Sequence, residues 1–204
     1  AARGFVAAAA LHADVAVFNE VEATDAMLAA QRVELGEQGV RGLIRSGGMQ
    51  DSRWFPDASL NFAENLLRDS DNPQALVFWG EDKIRQSLSR QELRTEVARF
   101  AAALSAAGVE QGDRVAAYLP NIPEAMVAFL ATASLGGVWS ICAPDMGTQA
   151  VLDRFRQIEP KVLIGVDGIV YAGREIDRLP VLAQLRAALP SVQHAVLVGN
   201  LDAS

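Results

Sequence analysis

The sequence has 204 residues, of which 50% are hydrophobic and 21% are charged, as in an ordinary soluble globular protein. Eighteen basic and twenty-five acidic residues give a net charge of −7, which argues against a protein that binds the phosphate backbone of nucleic acids. A single cysteine, Cys142, excludes an internal disulfide framework, and two histidines leave little for a metal site. The apolar run within residues 1–10 is too short for a signal peptide, so we expect a cytoplasmic protein.

Residues 1–50 are rich in alanine and have little regular pattern of apolar and polar residues, and this pattern changes at Asp51. We therefore expect a mostly helical or irregular leader over residues 1–50 and a structured domain over residues 51–204. Inside that domain, the stretches 75–80 (ALVFWG) and 83–88 (KIRQSL) flank a short turn of two acidic residues, which predicts a β-hairpin.

A helix is predicted directly after the hairpin. Ser89 and Glu92 have the spacing of a capping box, in which side chain and backbone satisfy each other's free donors. Apolar residues then recur with helical spacing up to Gly108, a residue type that commonly ends helices.

Short apolar strands alternate with helices through the rest of the chain. The four predicted strands are residues 114–119, 138–142, 161–166 and 194–198. We predict that the second of them is buried, that Pro123 starts the first intervening helix, and that Thr148 caps the next one. The third helix is predicted over residues 179–189. Because each crossover is long enough to return the chain in parallel, the expected fold is α/β, a largely parallel sheet of βαβ units with flanking helices.

One stretch, residues 125–144, contains no charged residue. Its length is what a membrane helix requires, about 20 residues. Gly136-Gly137 interrupts it, however, and no cluster of Lys or Arg flanks it to set an orientation in a bilayer. A buried helix followed by a parallel strand is equally free of charge. We therefore interpret the stretch as part of a soluble fold.

Common catalytic and nucleotide-binding motifs are absent from the sequence, including the Gly-rich phosphate loop, G-x-G-x-x-G, G-x-S-x-G and H-E-x-x-H. A thiol–imidazole pair of Cys142 and His194 is one interpretation, but a buried apolar cysteine and a strand-edge histidine are the preferred one. Asp145 follows a predicted strand, where open α/β sheets bind ligands. It is equally compatible with a plain turn into the following helix.

A family resemblance rests on several longer stretches. WFPDASLNFAENLLR (residues 54–68) and DRFRQIEPKVL (residues 153–163) resemble the acetoacetate branch of the adenylate-forming acyl-CoA synthetases. PNIPEAMVAFLATASLGG (residues 120–137) is shared more widely, including with the acetyl- and propionyl-CoA branches. The resemblance runs from about residue 51 to about residue 200, which identifies these residues as the N-terminal part of the AMP-dependent synthetase/ligase large domain.

The resemblance implies a parent enzyme that uses ATP, CoA and Mg²⁺ to activate acetoacetate and transfer it to CoA, releasing AMP and pyrophosphate. It implies small-molecule substrates, with neither nucleic acid nor membrane as partner. The family's phosphate loop and catalytic lysine have no counterpart in residues 1–204. The chain is therefore expected to be inactive by itself and to bind none of these cofactors tightly.

The resemblance also suggests which residues approach CoA. Ala143, Pro144 and Asp145 match a loop that lines the CoA channel, where sister enzymes have glycines. Arg174 matches an arginine near the CoA 3′-phosphate, and a guanidinium suits that group because its donor fork is planar and always charged. An exposed loop charge is the alternative for Arg174. A second family arginine has no counterpart, because Val170 and Tyr171 occupy its region.

Two other functions stay open at this stage. One is a ligase for acetate or propionate, since the residues that select the acid lie outside this chain. The other is a non-catalytic domain that associates with a partner, or with itself, through an open sheet edge.

Overall fold

The computed structural model describes residues 43–44, 49–51, 53–54, 61–68, 73–80 and 85–201. Most of the predicted leader therefore lies outside the described residues. The first described elements are small: strand β1 (Leu43–Ile44) pairs antiparallel with β2 (Arg53–Trp54), and helix α1 spans Phe62–Leu66. A short 3₁₀ turn, Met49–Asp51, lies between the two strands.

The predicted hairpin and the helix after it are confirmed. Strands β3 (Gln74–Trp79) and β4 (Arg85–Ser89) pair antiparallel, although their predicted turn lies outside the described residues. Helix α2 (Arg90–Ala106) begins with the full capping box between Ser89 and Glu92. Two of the orphan donors at the start of this helix are thus satisfied locally, and the hydrogen bonds lower the pKa of the Glu92 carboxyl.

The second half of the chain forms one parallel sheet, as its alternating strands and helices predict. The strands are β5 (Arg114–Tyr118), β6 (Val138–Cys142), β7 (Val162–Val166) and, after a small hairpin, β10 (His194–Val198). Helices α3 (Pro123–Ser134), α4 (Thr148–Ile158) and α5 (Leu179–Ala188) connect them. The order across the sheet is β10-β7-β5-β6, and every neighbouring pair is parallel.

Each face of the sheet has its own core. On one face, Val115, Ala117 and Ile164 pack against helices α2 and α3. On the opposite face, Leu163 packs with residues of helices α4 and α5 such as Phe155 and Leu185. The sheet is therefore the middle layer of three, and the central strands β5 and β7 are covered on both faces.

The uncharged stretch at residues 125–144 contains most of helix α3, a glycine turn and strand β6, as its interruption by glycines indicates. Gly136 has a left-handed φ of 71°, which a non-glycine residue would adopt only with strain. No helix within the described ranges is long and apolar enough to span a membrane.

Three details differ from the sequence predictions. Strand β6 is not buried, because it is an outer strand of the sheet, and Val138 and Ile141 are 47% and 43% exposed. Thr148 does not cap helix α4: the N-cap residue is Gly147, and no side chain caps this helix. The sequence analysis also missed a hairpin of strands β8 (Gly168–Tyr171) and β9 (Arg174–Asp177), which lies between β7 and helix α5.

Candidate functional site

The carboxyl ends of the parallel strands form the candidate site. Strand β5 is followed by helix α3, which packs on one face of the sheet, whereas β7 leads to helix α5 on the other face. The two strands are neighbours whose following segments diverge to opposite faces, and this topology predicts a crevice at their ends. Open α/β sheets bind their ligands at such a crevice.

Tyr118 ends strand β5 in this crevice and is fully buried. Its hydroxyl donates a hydrogen bond to the carbonyl oxygen of Pro144 at 2.6 Å, and the carbonyl of Met146 lies 3.3 Å away. The buried phenol therefore fastens the loop that follows the neighbouring strand β6. Its polar end is satisfied by that loop, as is usual for a buried tyrosine.

Charges from both sides of the crevice act on the same hydroxyl. Burial raises the pKa of Tyr118, the positive charge of Arg178 opposes that shift, and the negative charge of Asp145 adds to it. Arg178 and Asp145 thus lie close enough to Tyr118 for their charges to be felt. The phenol is expected to stay protonated at neutral pH and to keep its hydrogen bond to the loop.

The loop of residues 143–146 contains three of the residues that the resemblance assigned to the CoA channel. Its backbone turns tightly, since the N–H of Met146 donates to the carbonyl of Ala143 at 3.1 Å. Ala143 and Asp145 are exposed, while Pro144 between them is buried. The loop therefore presents two of the three predicted residues to solvent and uses the third to anchor itself.

Asp167, at the end of strand β7, organises the opposite side of the crevice. Its carboxylate accepts hydrogen bonds from the backbone N–H groups of Gly168 at 2.7 Å, Asn200 at 2.8 Å and Leu201 at 3.2 Å. Its backbone carbonyl accepts from the N–H of Arg178 at 2.7 Å. The side chain thereby ties the exit of β10 to the start of β8, and the backbone carbonyl of the same residue ties them to the start of helix α5.

Arg174 lies at the tip of the hairpin that Asp167 anchors. It is the first residue of β9, is exposed, and lies opposite Tyr171 across a turn formed by Ala172 and Gly173. Both turn residues have left-handed φ angles, 52° and 74°, as a tight two-residue hairpin turn requires. Arg174 is thus exposed beside this turn and accessible to an anion.

The structure thus groups the predicted site residues into two loops. Residues 143–145 follow strand β6, and Arg174 belongs to the hairpin that follows β7. These strands flank β5 on opposite sides, so their ends are separated by two strand spacings, about 10 Å. Both loops follow the carboxyl ends of strands that lie on either side of β5.

Tyr118, Asp167 and Arg178 were not predicted as site residues from the sequence. Tyr118 and Asp167 share a signal, a polar side chain at or just after the last residue of a buried strand. Arg178 is different, because it belongs to a hairpin that the sequence analysis did not predict. Its Nε is buried and has no hydrogen-bond partner among the described residues.

Cys142 and His194 are not a catalytic pair, as the preferred interpretation held. Cys142 ends strand β6, whereas His194 begins strand β10, so they lie at opposite ends of parallel strands. They also lie at opposite edges of the sheet, about 14 Å apart in the direction across the strands. Cys142 is 3% exposed, and burial raises the pKa of its thiol. A protonated thiol is a poor nucleophile.

The residues that the structure describes contain no set of ligands for a metal ion. Within the described ranges, no three His, Cys, Asp or Glu side chains are arranged so that they would hold a metal ion. The nearest carboxylates to the crevice have separate tasks: Asp167 accepts backbone N–H groups, and Asp145 lies exposed on the loop.

Comparison with known proteins gives consistent results. The family model for AMP-binding enzymes matches residues 62–204. An acetoacetyl-coenzyme A synthetase from Rhizobium meliloti is 52% identical over 143 residues, 70% of this chain and 22% of the relative. The acetoacetyl-CoA synthetase of Rattus norvegicus is 43% identical over 157 residues, 75% of this chain and 23% of the relative.

Among solved structures, the acetoacetyl-CoA synthetase from Streptomyces lividans superposes with a TM-score of 0.75 at 43% sequence identity. The match covers 83% of this chain and 26% of that one. The chain therefore spans about a quarter of the length of the relatives that it matches.

Proposed function

Because the chain belongs to the AMP-binding enzyme family, we propose that it forms the N-terminal part of an acetoacetate–CoA ligase. The observation that carries this proposal is the match to the Streptomyces lividans acetoacetyl-CoA synthetase over 83% of the chain at 43% identity. Two further acetoacetyl-CoA synthetases, at 52% and 43% identity, support the same choice of acid.

The proposed reaction proceeds in two steps. A carboxylate oxygen of acetoacetate attacks the α-phosphorus of ATP and expels pyrophosphate, which leaves a mixed anhydride with AMP. The thiol sulfur of CoA then attacks the activated carbonyl, loses its proton, and expels AMP. Activation comes first because AMP is a far better leaving group than the oxygen of a free carboxylate.

In this scheme the described residues line part of the CoA path. Ala143, Pro144 and Asp145 line it on one side, and Arg174 receives the 3′-phosphate of CoA on the other side. The exposure of Ala143, Asp145 and Arg174, and their position on segments that follow the carboxyl ends of β6 and β7, support these roles. Tyr118 holds the first loop through Pro144, and Asp167 holds the base of the hairpin that carries Arg174.

We also propose that the 204-residue chain does not catalyse the reaction by itself. It matches about a quarter of each relative, and residues 1–204 contain no Gly-rich phosphate loop. Phosphoryl transfer depends on donors and cations aimed at the developing charge of the phosphate. The described residues offer no ligand set for Mg²⁺, so we assign no step to that ion here.

As part of a ligase, the chain is proposed to act on small-molecule substrates in the cytoplasm.

A second candidate, a non-catalytic domain that self-associates, is supported by strand β6. Its exposed Val138 and Ile141 give an apolar strand at the border of the sheet, and such borders favour pairing between molecules. We propose self-association only for the isolated chain, where such borders are open.

Acetoacetate-dependent exchange between ATP and labelled pyrophosphate tests the proposed reaction. We expect no exchange with the 204-residue chain and clear exchange with the polypeptide extended along the same reading frame. Acetate and propionate serve as competing acids. Preference for either acid would contradict acetoacetate as the substrate but would still be consistent with a ligase. Exchange by the 204-residue chain would contradict its proposed inactivity.

The proposed role of Arg174 is tested by Arg174→Ala in the extended protein. Loss of a charge-assisted hydrogen bond to phosphate should raise KM for CoA about tenfold or more, while KM for ATP stays unchanged. The wild type should discriminate against CoA that lacks its 3′-phosphate, and the variant should not. Arg156→Ala, which removes an exposed arginine of helix α4, is the matched control. Equal discrimination by the variant and the wild type would contradict the assignment.

A further inference from the structure

The β8–β9 hairpin carries an aromatic side chain directly opposite Arg174. Tyr171 and Arg174 form the last residue pair before the turn, and they are direct partners in the antiparallel register. Directly opposed residues of such a pair place their side chains on the same face of the hairpin, with Cβ atoms about 5 Å apart. Tyr171 is 46% exposed, and Arg174 is exposed as well. A phenol ring and a guanidinium are therefore neighbours on one open surface.

The register of the hairpin also distinguishes Tyr171 from Val170. The sequence alone places both residues in the region of the family arginine that this chain lacks. Successive residues of a strand point to opposite faces. Val170, which pairs with Glu175, therefore lies on the other face of the hairpin. Only Tyr171 shares a face with Arg174.

The base of this face is held in place by the core. Ile169 and Ile176 are the pair two residues further from the turn, so they lie on the same face as Tyr171 and Arg174. Ile169 is 8% exposed and belongs to the core on the side of helices α2 and α3, and Ile176 packs against the same core. The hairpin is thus packed at its base and open at its tip, which gives Tyr171 and Arg174 a fixed support.

An aromatic ring beside a guanidinium suits a ligand in which a flat base and a phosphate are attached to one sugar. Bases stack on aromatic side chains because every base has an apolar π-face. A guanidinium binds phosphate through its planar fork of donors. CoA contains both groups in the required proximity, since its adenine and its 3′-phosphate are attached to the same ribose.

We propose that Tyr171 binds CoA by stacking its ring on the adenine, while Arg174 receives the 3′-phosphate of the same nucleotide. This inference rests on the proposed function, which assigns the 3′-phosphate to Arg174. Arg174 by itself would recognise only the phosphate, whereas the pair recognises the whole nucleotide end of CoA. Stacking requires the ring of Tyr171 and not its hydroxyl, so phenylalanine should serve equally well.

The competing explanation is that the two side chains only stabilise the hairpin. A cation beside an aromatic ring is attracted to it without any ligand. Under that explanation, a substitution at Tyr171 would disturb the hairpin and would affect every thiol substrate alike. Substrates with and without the nucleotide end of CoA therefore distinguish the two roles.

Steady-state kinetics of acetoacetyl transfer, measured on the polypeptide extended along the same reading frame, tests the proposal. Tyr171→Leu should raise KM for CoA about tenfold or more, because stacking of the base is lost, and should leave kcat nearly unchanged. Tyr171→Phe should keep the KM of the wild type. With 4′-phosphopantetheine, which lacks the nucleotide end of CoA, Tyr171→Leu and the wild type should have equal kcat/KM. Val170→Ala, at a residue that is 40% exposed on the opposite face, is the matched control and should not change KM for CoA.

Binding of adenosine 3′,5′-bisphosphate provides a readout that requires no turnover. This molecule carries the adenine, the ribose and the 3′-phosphate of CoA. Isothermal titration calorimetry on the same extended proteins should give a Kd about tenfold or more weaker for Tyr171→Leu than for the wild type. Tyr171→Phe and Val170→Ala should bind it as the wild type does.

The outcomes separate this inference from the proposed function. Unchanged KM and Kd in Tyr171→Leu would overturn the stacking and leave the ligase intact. Equal losses with CoA and 4′-phosphopantetheine would also overturn it, because Tyr171 would then only support the hairpin. Equal losses in Tyr171→Phe and Tyr171→Leu would overturn it as well, because the hydroxyl would then be the binding group. Weaker binding of the bisphosphate by Tyr171→Leu alone, in an extended protein that forms no acetoacetyl-CoA, would confirm the stacking and contradict the ligase.

Discussion

β7 and β10 lie side by side in the same sheet and have nearly the same composition, VLIGV and HAVLV. Every residue of β7 is buried, whereas three of the five residues of β10 are exposed. The difference comes from their neighbours. β7 has strands on both sides and helices over both faces, while among the described residues β10 has one neighbouring strand and partial cover. The composition of a strand therefore indicates the surroundings in which it is stable. The burial of its residues shows which of those surroundings the described chain provides.

This comparison is sharpest at two leucines on the same face of the sheet. Leu163 in β7 is fully buried, and Leu197 in β10 is 55% exposed. Leu163→Ala should lower the free energy of unfolding of the 204-residue chain by about 3 kcal/mol, because it removes buried methyl groups and leaves a cavity. Leu197→Ala should change it by less than about 0.5 kcal/mol. Urea unfolding, followed by circular dichroism, measures both.

The comparison would fail if the two substitutions had similar effects on the 204-residue chain. Such a result would mean that the position of a strand in the sheet does not decide how much its leucine contributes to stability.

A second contrast concerns close packing between a strand and a helix. A Cβ added to Gly165 in β7 would overlap with the methyl groups of Leu182 in helix α5. Gly165→Ala should therefore cost about 2 kcal/mol, since a packed interior resists an added methyl group. Its pairing partner in β10 is Leu197, the exposed leucine, so no comparable constraint exists one strand away.

Leu182→Ala provides the matched control for this contrast. Shortening the leucine makes room for the new methyl group, so Gly165→Ala should cost less in that background by about 1 kcal/mol. A double-mutant cycle from urea unfolding measures this coupling. Zero coupling would show that the cost arises from the strand backbone and not from contact with helix α5.

Much of the fold follows from local signals in the sequence. Three of these signals act within a few residues and were predicted correctly: the capping box at Ser89, the proline that starts helix α3, and the glycine turn at residues 136–137. The burial of β6 was predicted wrongly, because VWSIC has the composition of an interior strand. Whether a strand lies at the border depends on the order of strands, which local patterns do not encode.

The candidate site was only partly predictable for a related reason. Asp145 was noted from its place after a strand, but the roles of Tyr118 and Asp167 depend on partners 26 to 34 residues away. The β8–β9 hairpin was missed because its second strand, REID, is short and mostly charged. Its tight turn relies on Ala172 in a left-handed conformation, which alanine seldom adopts. The sequence pattern therefore contains little signal for the hairpin that carries Arg174.

The smallest effect is expected at the two tyrosines, which repeat the contrast between interior and periphery. Tyr118 is fully buried at the end of β5, and Tyr171 is 46% exposed on the hairpin. Tyr118→Phe should lower the free energy of unfolding by about 1 kcal/mol at pH 7, because the bond from its hydroxyl to the Pro144 carbonyl is lost. Tyr171→Phe should have no measurable effect.

The pH dependence of the same variants tests the cause. Burial raises the pKa of Tyr118 above the ordinary tyrosine value of 10.0, so the unfolded chain loses this proton at lower pH than the folded chain does. The contribution of Tyr118 is therefore fully present below about pH 10 and is lost as the pH rises through the pKa of the folded protein. Urea unfolding between pH 7 and pH 11 should show a steeper loss of stability in the wild type and in Tyr171→Phe than in Tyr118→Phe. Equal slopes for all three proteins would mean that the hydroxyl of Tyr118 is open to solvent, and that the loop of residues 143–146 is held by other contacts.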